Sequence, residues 1–377
     1  MKPLHGIRII EMVGVGPGPY AAMLLADMGA EVIRVERPGG GMFSFSNSKD
    51  MLNRNKKCMV VNLKHAQGPE VVRRLLASAD GLIEGNRPGV MEKLGLGPDD
   101  CMKIQPKLVY GRMTGWGQQG PLAHKAGHDI NYLALTGALH LFGTEDGQAV
   151  VPPPLIGDFS GGGLSLAFGM TCALLEASRT GKGQVIDASI VGGVAHLMST
   201  IYVAQQIGFW SDARATNILD GGAHFYQVYR CKDGRELAVG AVEEKFYQEL
   251  LAGLGLANES LPEQMDRQQW PAMKKQFREI FESKTCEEWL VIFAERDACV
   301  SPVLTSQEAR EHPHNVARQT FTTVDGVWQP QAAPQLGKDH QPITSAVPLG
   351  THTDELLQEA GYSAAEIETL KQGAAIV

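Results

Sequence analysis

The chain has 377 residues, 44% hydrophobic and 20% charged, and its 34 Lys and Arg against 42 Asp and Glu leave a net charge of −8. That length suggests two or three units with a sizeable core, and the acidic balance argues against a general nucleic-acid binder, which needs basic surface to neutralise phosphates. Six scattered cysteines, with no CxxC and no histidine at ligand spacing, indicate neither a zinc module nor a disulfide scaffold. With no apolar leader at the start, a cytoplasmic setting is expected.

Runs rich in Val, Ile and Leu at 7–12, 31–36, 58–63, 81–84 and 108–112 predict strands, separated by stretches of helical period such as 20–28 and 69–78. Strand, helix, strand at this spacing predicts right-handed crossovers and a parallel sheet covered on both faces, with function at the strand C-terminal ends. Helices are expected over 129–141 and 159–179, the second stopped by Gly181 and followed by a strand at 184–188. The most apolar stretch, 190–210, is broken by His196, Ser199, Thr200, Gln205 and Gln206, so it is expected to bridge subunits or lie buried rather than span a membrane. Beyond it, strand-like runs at 224–231 and 235–241 flank Lys232-Asp233-Gly234, a hairpin signal. With helices expected at 243–254, 270–282 and 286–295 they form a smaller α/β domain. From 329 to 348 the chain reads as a Pro- and Gln-rich connector, ahead of a last helix at 353–360.

After the first strand comes Gly14-Val15-Gly16-Pro17-Gly18-Pro19, and Glu36 ends the second strand at the distance of a ribose-binding carboxylate. A nicotinamide site fails in detail, because the third glycine of the fingerprint falls at Pro19, which has no N–H to offer a pyrophosphate. Basic residues gather instead at Arg34, Arg37, Arg54, Lys56, Lys57, Lys64, Arg87 and Lys93, a local positive field suited to a nucleotide with several phosphates. Arg37, Lys64 and Arg87, each directly after a strand-like run, are the candidates for ligand contact.

Two motifs carry proton chemistry. Gly127-His128-Asp129-Ile130-Asn131-Tyr132 sets a histidine at a helix start, where the dipole favours the neutral ring. Gly157-Asp158-Phe159-Ser160-Gly161-Gly162-Gly163 sets a carboxylate at another, followed by glycines whose amides are open to an oxyanion. Either residue also serves as a plain cap or a structural group. Together they fit 1,1-proton transfer at carbon, one group deprotonating one face and the other reprotonating the opposite face. Glu243, opening the helix after the hairpin, could orient His128, although a first-turn acid needs no such role.

Nine ordered segments, GVGPGPYAAMLLADMGAEVIRVERPG, IEGNRPGVMEKLGLGP, YGRMTGWGQQGP, AGHDINYLALTG, GDFSGGG, TGKGQVIDASIV, NILDGGAHFY, AVGAVEEKFY and DACVSPVLT, resemble the stations of the family III CoA-transferase superfamily, and within it the acyl-CoA racemases. The resemblance implies a Rossmann-like large domain over 1–189 completed by 335–377, a crossing linker at 190–223, a small α/β domain at 224–328, a return linker at 329–334, and two interlocked protomers. It implies an acyl-CoA thioester substrate and no cofactor, CoA being part of the substrate. His128 and Asp158 would be the acid/base pair, with Glu243 partnering His128. Arg37 would meet the nucleotide phosphates, and Val61, Asn62, Leu63, Lys64, Gly85, Asn86, Arg87, Lys93, Gly127, Asp129, Ile130, Asn131 and Tyr132 would line the CoA path. Lys93 stands where arginine is common, keeping charge without bidentate geometry. The implied reaction interconverts (R)- and (S)-2-methylacyl-CoA; the alternative within the same fold is CoA transfer between carboxylic acids with Asp158 as nucleophile.

Overall fold

Parallel strands need long crossovers, and the alternation of apolar runs with helical stretches supplies them. A computed structural model describes residues 2–40, 49–144, 147–338, 340 and 342–377. Strands β1 (Arg8–Met12), β2 (Glu31–Glu36), β3 (Lys56–Val60), β4 (Gly81–Glu84), β5 (Val109–Thr114) and β6 (Val185–Ser189) form one sheet in the order β3-β2-β1-β4-β5-β6, every pair parallel. Ile9, Ile10, Val32, Ile33 and Val35 are buried, as expected of strands covered on both faces. Strand order reverses between β1 and β4, and the crevice beyond the C-terminal ends at such a switch point is where open α/β sheets bind ligands.

The chain divides into two compact units, one made of Met1–Thr136, Pro152–Met198 and Ala317–Val377, the other of Gly137–Val151 and Ser199–Val316. The observed divisions fall at 136/137, 151/152, 198/199 and 316/317, where 189/190, 223/224, 328/329 and 334/335 were expected. In the first unit the core joins the sheet to the C-terminal helices Thr353–Glu359 and Ala364–Gln372 through Leu356, Leu357, Ile367 and Leu370. Ile376 makes a bridge to Val61, tying the end of the described chain to the edge of β3. In the second unit, β7 (Tyr226–Arg230), β8 (Glu236–Gly240) and β9 (Val300–Pro302) form an antiparallel sheet. It packs around Phe225, Tyr229, Phe277, Phe281 and Trp289.

Several expected elements are revised. The helix expected over 129–141 is two, Asp129–Leu135 and Ala138–Leu141, parted at Gly137 with φ 77°. The bridging stretch is likewise split into Ile190–Leu197 and Ser199–Gln206. The helix expected at 159 begins earlier as a ten-residue π-helical turn, Leu155–Leu164, and continues as Ser165–Thr180 to a left-handed stop at Gly181. The connector expected from 329 is preceded by, and partly contained in, a hairpin of β10 (Phe321–Val324) and β11 (Val327–Pro330) in the first unit. No helix among the described residues is long and apolar enough to cross a membrane.

Candidate active site

Two cavities open beyond the C-terminal edge of the six-stranded sheet. The smaller, about 290 Å³, is lined by the 14–19 loop after β1, Glu84 and Gly85 after β4, Thr114 and Gly115 after β5, and Gly127, His128, Tyr132 and Asp158. It therefore lies at the switch point and brings together the two residues singled out as proton carriers.

The loop is held from below. Gly16, with φ 67°, takes a conformation that favours glycine, and a Cβ there would stand 3.5 Å from Asp158 Oδ2. Lys56, fully buried, donates to Glu11 Oε2 at 2.6 Å and to the Pro19 carbonyl at 3.0 Å, pinning the first turn of the helix Pro17–Asp27. Burial pushes the Lys56 ammonium down and the Glu11 carboxyl up from their ordinary values, while their attraction opposes both shifts. With prolines at 17 and 19, only Gly18 keeps an amide in that first turn, so the loop is poorly equipped for a pyrophosphate. The oxygens of Glu36 are engaged by Arg34 and by the Arg37 amide, which leaves it a structural role.

His128 caps the helix Asp129–Leu135, and its amide donates to Asn131 Oδ1 at 3.0 Å. Tyr132 Oη donates to the Gly127 carbonyl at 2.5 Å and its ring packs edge-on against Trp116, fixing the turn that presents the imidazole. Asp129 points the other way: it is buried, and its Oδ2 accepts the Asp158 amide at 2.8 Å. Asp158 is half-buried, and its carboxyl is raised to about 6, first by burial and then by the negative charge of Asp129, with His128 pulling it down. Burial, Asp158 and Asp129 push the Tyr132 phenol up to about 12. Ile130 and Asn131 are exposed and do not line the cavity.

The glycines after Asp158 are a correction. They were expected to offer open amides to an oxyanion, but Gly161, Gly162 and Gly163 are buried in close packing. A Cβ at these positions would meet Val194 at 2.7 Å, Ile190 at 3.0 Å and Tyr20 at 2.7 Å respectively. Their lack of side chains lets the helices Pro17–Asp27 and Ile190–Leu197 close on the π-helical turn, which leaves Asp158 at the cavity wall.

The larger cavity, about 620 Å³, is lined by Arg37 after β2, by Val61, Asn62, Leu63 and Lys64 after β3, and by Asn86 and Lys93 after β4. Its wall is buttressed where the Asn62 amide donates to the Ala375 carbonyl at 2.8 Å. Arg37, Lys64 and Lys93 are exposed and, among the described residues, form no ion pair. The wider basic cluster was expected to act as one field, and here the structure narrows it. Arg34 pairs with Glu36, Arg54 with Asp27 at 2.6 Å, Lys56 with Glu11, and Lys57 with Glu355 at 2.7 Å. Arg87 is exposed and lines neither cavity. Gly85 lines the smaller one.

Glu84 was not singled out from sequence. It is fully buried at the smaller cavity, accepts from the Asn86 amide at 2.6 Å and from Arg112 Nε at 3.0 Å, and burial raises its carboxyl above the ordinary range. Arg112 also donates to Glu92 at 2.7 Å, so this network joins β4, β5 and the helix Val90–Lys93 that carries Lys93. An acid ending a strand at the functional edge was the available signal. Glu243 belongs to the second unit, where it caps the helix Glu244–Leu254 and helps line a cavity of about 700 Å³.

A parallel sheet in this order, with an imidazole and a carboxyl at its switch point beside a cation-rimmed cavity, is the architecture of an open α/β enzyme. The chain belongs to CoA-transferase family III, which matches residues 4–353. It is 47% identical over 373 residues to the α-methylacyl-CoA racemase of Mus musculus, covering 97% of this chain and 95% of that one. It is 46% identical over 375 residues to the α-methylacyl-CoA racemase of Homo sapiens, covering 97% and 96%. Among solved structures, Rv3272 from M. tuberculosis matches with a TM-score of 0.80 at 26% identity, over 94% of this chain and 98% of that one.

Proposed function

We propose that this protein is an isomerase that interconverts (R)- and (S)-2-methylacyl-CoA thioesters, with His128 and Asp158 as the two proton carriers. The observation that carries the reading is their convergence on one cavity at the switch point, supported by the near full-length similarity to the two racemases. One carrier takes the proton from C2 while the electron pair moves onto the thioester oxygen; the other returns a proton to C2 from the opposite face. We assign the enolate oxygen to the Asp129 amide, the first of the helix Asp129–Leu135, which has no intrahelical acceptor. A 1,1-proton transfer is redox-neutral, so it calls for neither flavin nor nicotinamide. Arg37, Lys64 and Lys93 would meet the nucleotide phosphates at the rim of the larger cavity, with Val61 to Leu63 and Asn86 along the CoA path.

Glu243 is assigned to orient His128 within a homodimer. Dimerisation is supported by apolar side chains left exposed on single helices, Phe168 at 71% on Ser165–Thr180 and Val203 at 56% on Ser199–Gln206. Six cysteines that all remain thiols suit a cytoplasmic setting, and a branched acyl substrate suits a role in fatty-acid metabolism. Incubating one enantiomer of a 2-methylacyl-CoA in deuterated water, with no acceptor acid, tests the reaction. Deuterium at C2 with scrambled configuration is expected. No exchange, with CoA moving once a free carboxylic acid is added, would make Asp158 a nucleophile and the protein a transferase.

A further inference from the structure

We propose that the Asp129 side chain does not touch substrate but acts as a positioning residue for Asp158, gripping its amide and setting its proton affinity through an uncompensated negative charge. The proposal rests on the two-carrier reading above and deepens it. Asp129 is 8% exposed, its Oδ2 lies 2.8 Å from the Asp158 amide nitrogen, and no Lys or Arg pairs with it among the described residues. Gly157 makes the contact possible, since a Cβ there would stand 2.2 Å from the same oxygen. A carboxylate seated this way disfavours a second negative charge beside it.

The other charged groups around the π-helical turn are few or already engaged. The helix Pro17–Asp27 brings Tyr20, whose ring packs on Phe159, and Asp27, which is paired with Arg54. Strand β5 brings Tyr110, whose hydroxyl donates to the Leu96 carbonyl, and Arg112, held by Glu84 and Glu92. Strand β6 brings Asp187, which accepts the Gln118 amide at 2.9 Å. The helices Ser165–Thr180 and Ile190–Leu197 carry Glu176, Arg179 and His196, and Tyr132 and His128 flank Asp129 itself. Of these neighbours, Asp129 and His128 are the ones whose charge Asp158 feels, in opposite directions.

With burial, the Asp129 charge brings the Asp158 carboxyl to about 6, the range in which an imidazole ordinarily titrates. A carboxyl titrating there is available both as base and as acid near neutral pH, as a carrier that must work in either direction requires.

The test is a ¹³C NMR titration of protein labelled at the aspartate carboxyls, with the Asp158 signal assigned through Asp158→Asn, alongside the pH profile of C2 exchange. Asp129→Asn keeps an acceptor for the amide and drops the charge. The Asp158 midpoint is expected to fall by about one pH unit or more. The ascending limb of exchange, for the enantiomer that Asp158 deprotonates, should move down with it, and KM should stay within about threefold. An unmoved midpoint overturns the proposal, and so does a raised KM at unchanged kcat, which would make Asp129 a CoA contact. Asp129→Ser supplies a second charge-free variant should the Asn protein fail to fold. A shifted midpoint in a native protein that exchanges no C2 proton upholds the tuning and defeats the proposed reaction.

Discussion

In the smaller cavity of the first unit the chemical groups are gripped by neighbours. The Asp158 amide is taken by Asp129, the turn before His128 is pinned by Tyr132, and the facing loop is tied to buried Lys56. In the larger cavity the cations stand exposed, and the Arg37 guanidinium donates to the Gly40 carbonyl at 2.8 Å. The contrast follows from what each would handle. Proton transfer at carbon needs donor and acceptor fixed to fractions of an ångström, whereas phosphates are attracted by charge over many geometries and exact placement adds little.

Substitution can break that contrast or sharpen it. The largest effect is expected for His128→Ala and Asp158→Asn, each losing about a hundredfold or more in kcat for C2 exchange while CoA affinity, measured by calorimetry, holds. A loss of CoA affinity equal to the loss of turnover would mean that the two cavities are not separate in function. Next in size, Lys56→Met should destabilise the protein by about 3 kcal/mol in urea unfolding, because Glu11 is left buried without its partner, and adding Glu11→Leu should restore much of it. Unchanged stability in the single variant would show that the loop is held by something else. The smallest effect is expected at the exposed rim. Arg37→Ala and Lys64→Ala should each raise KM about three- to tenfold with kcat unchanged, and the penalty should shrink as salt is added. A salt-independent loss would point to a gripped geometry there too.

How far the sequence disclosed these regions depended on whether a residue's partner is near in the chain. Strands β1, β2, β4 and β6 were legible because apolar runs bounded by turns encode them locally, and the Asp233-Gly234 hairpin for the same reason. Asp325-Gly326, with φ of 48° and 76°, carried that same turn signal for β10 and β11, where the Pro- and Gln-rich composition suggested only a connector. The capping box of Ser363 and Glu366 was a like signal for a further helix, Ala364–Gln372, beyond 353–360, where the last one was expected. His128 and Asp158 were legible as helix-start groups. What stayed hidden was long-range. Local sequence gives no hint that Arg54 is spent on Asp27, that Glu84 holds Arg112, or that the glycines 161–163 make room for helices instead of holding an anion. Each of those facts belongs to a pair of elements meeting in space.

The bridge between Val61 and Ile376 links positions almost the whole described length apart. Contacts so distant along the chain close late, since the intervening polymer must be ordered first. During synthesis the wall formed by Val61 to Lys64 would emerge early and wait, unsupported, for residues made hundreds of peptide bonds afterwards. The wall of the larger cavity from Val61 to Lys64 therefore gains its backing only once the helices Thr353–Glu359 and Ala364–Gln372 are seated.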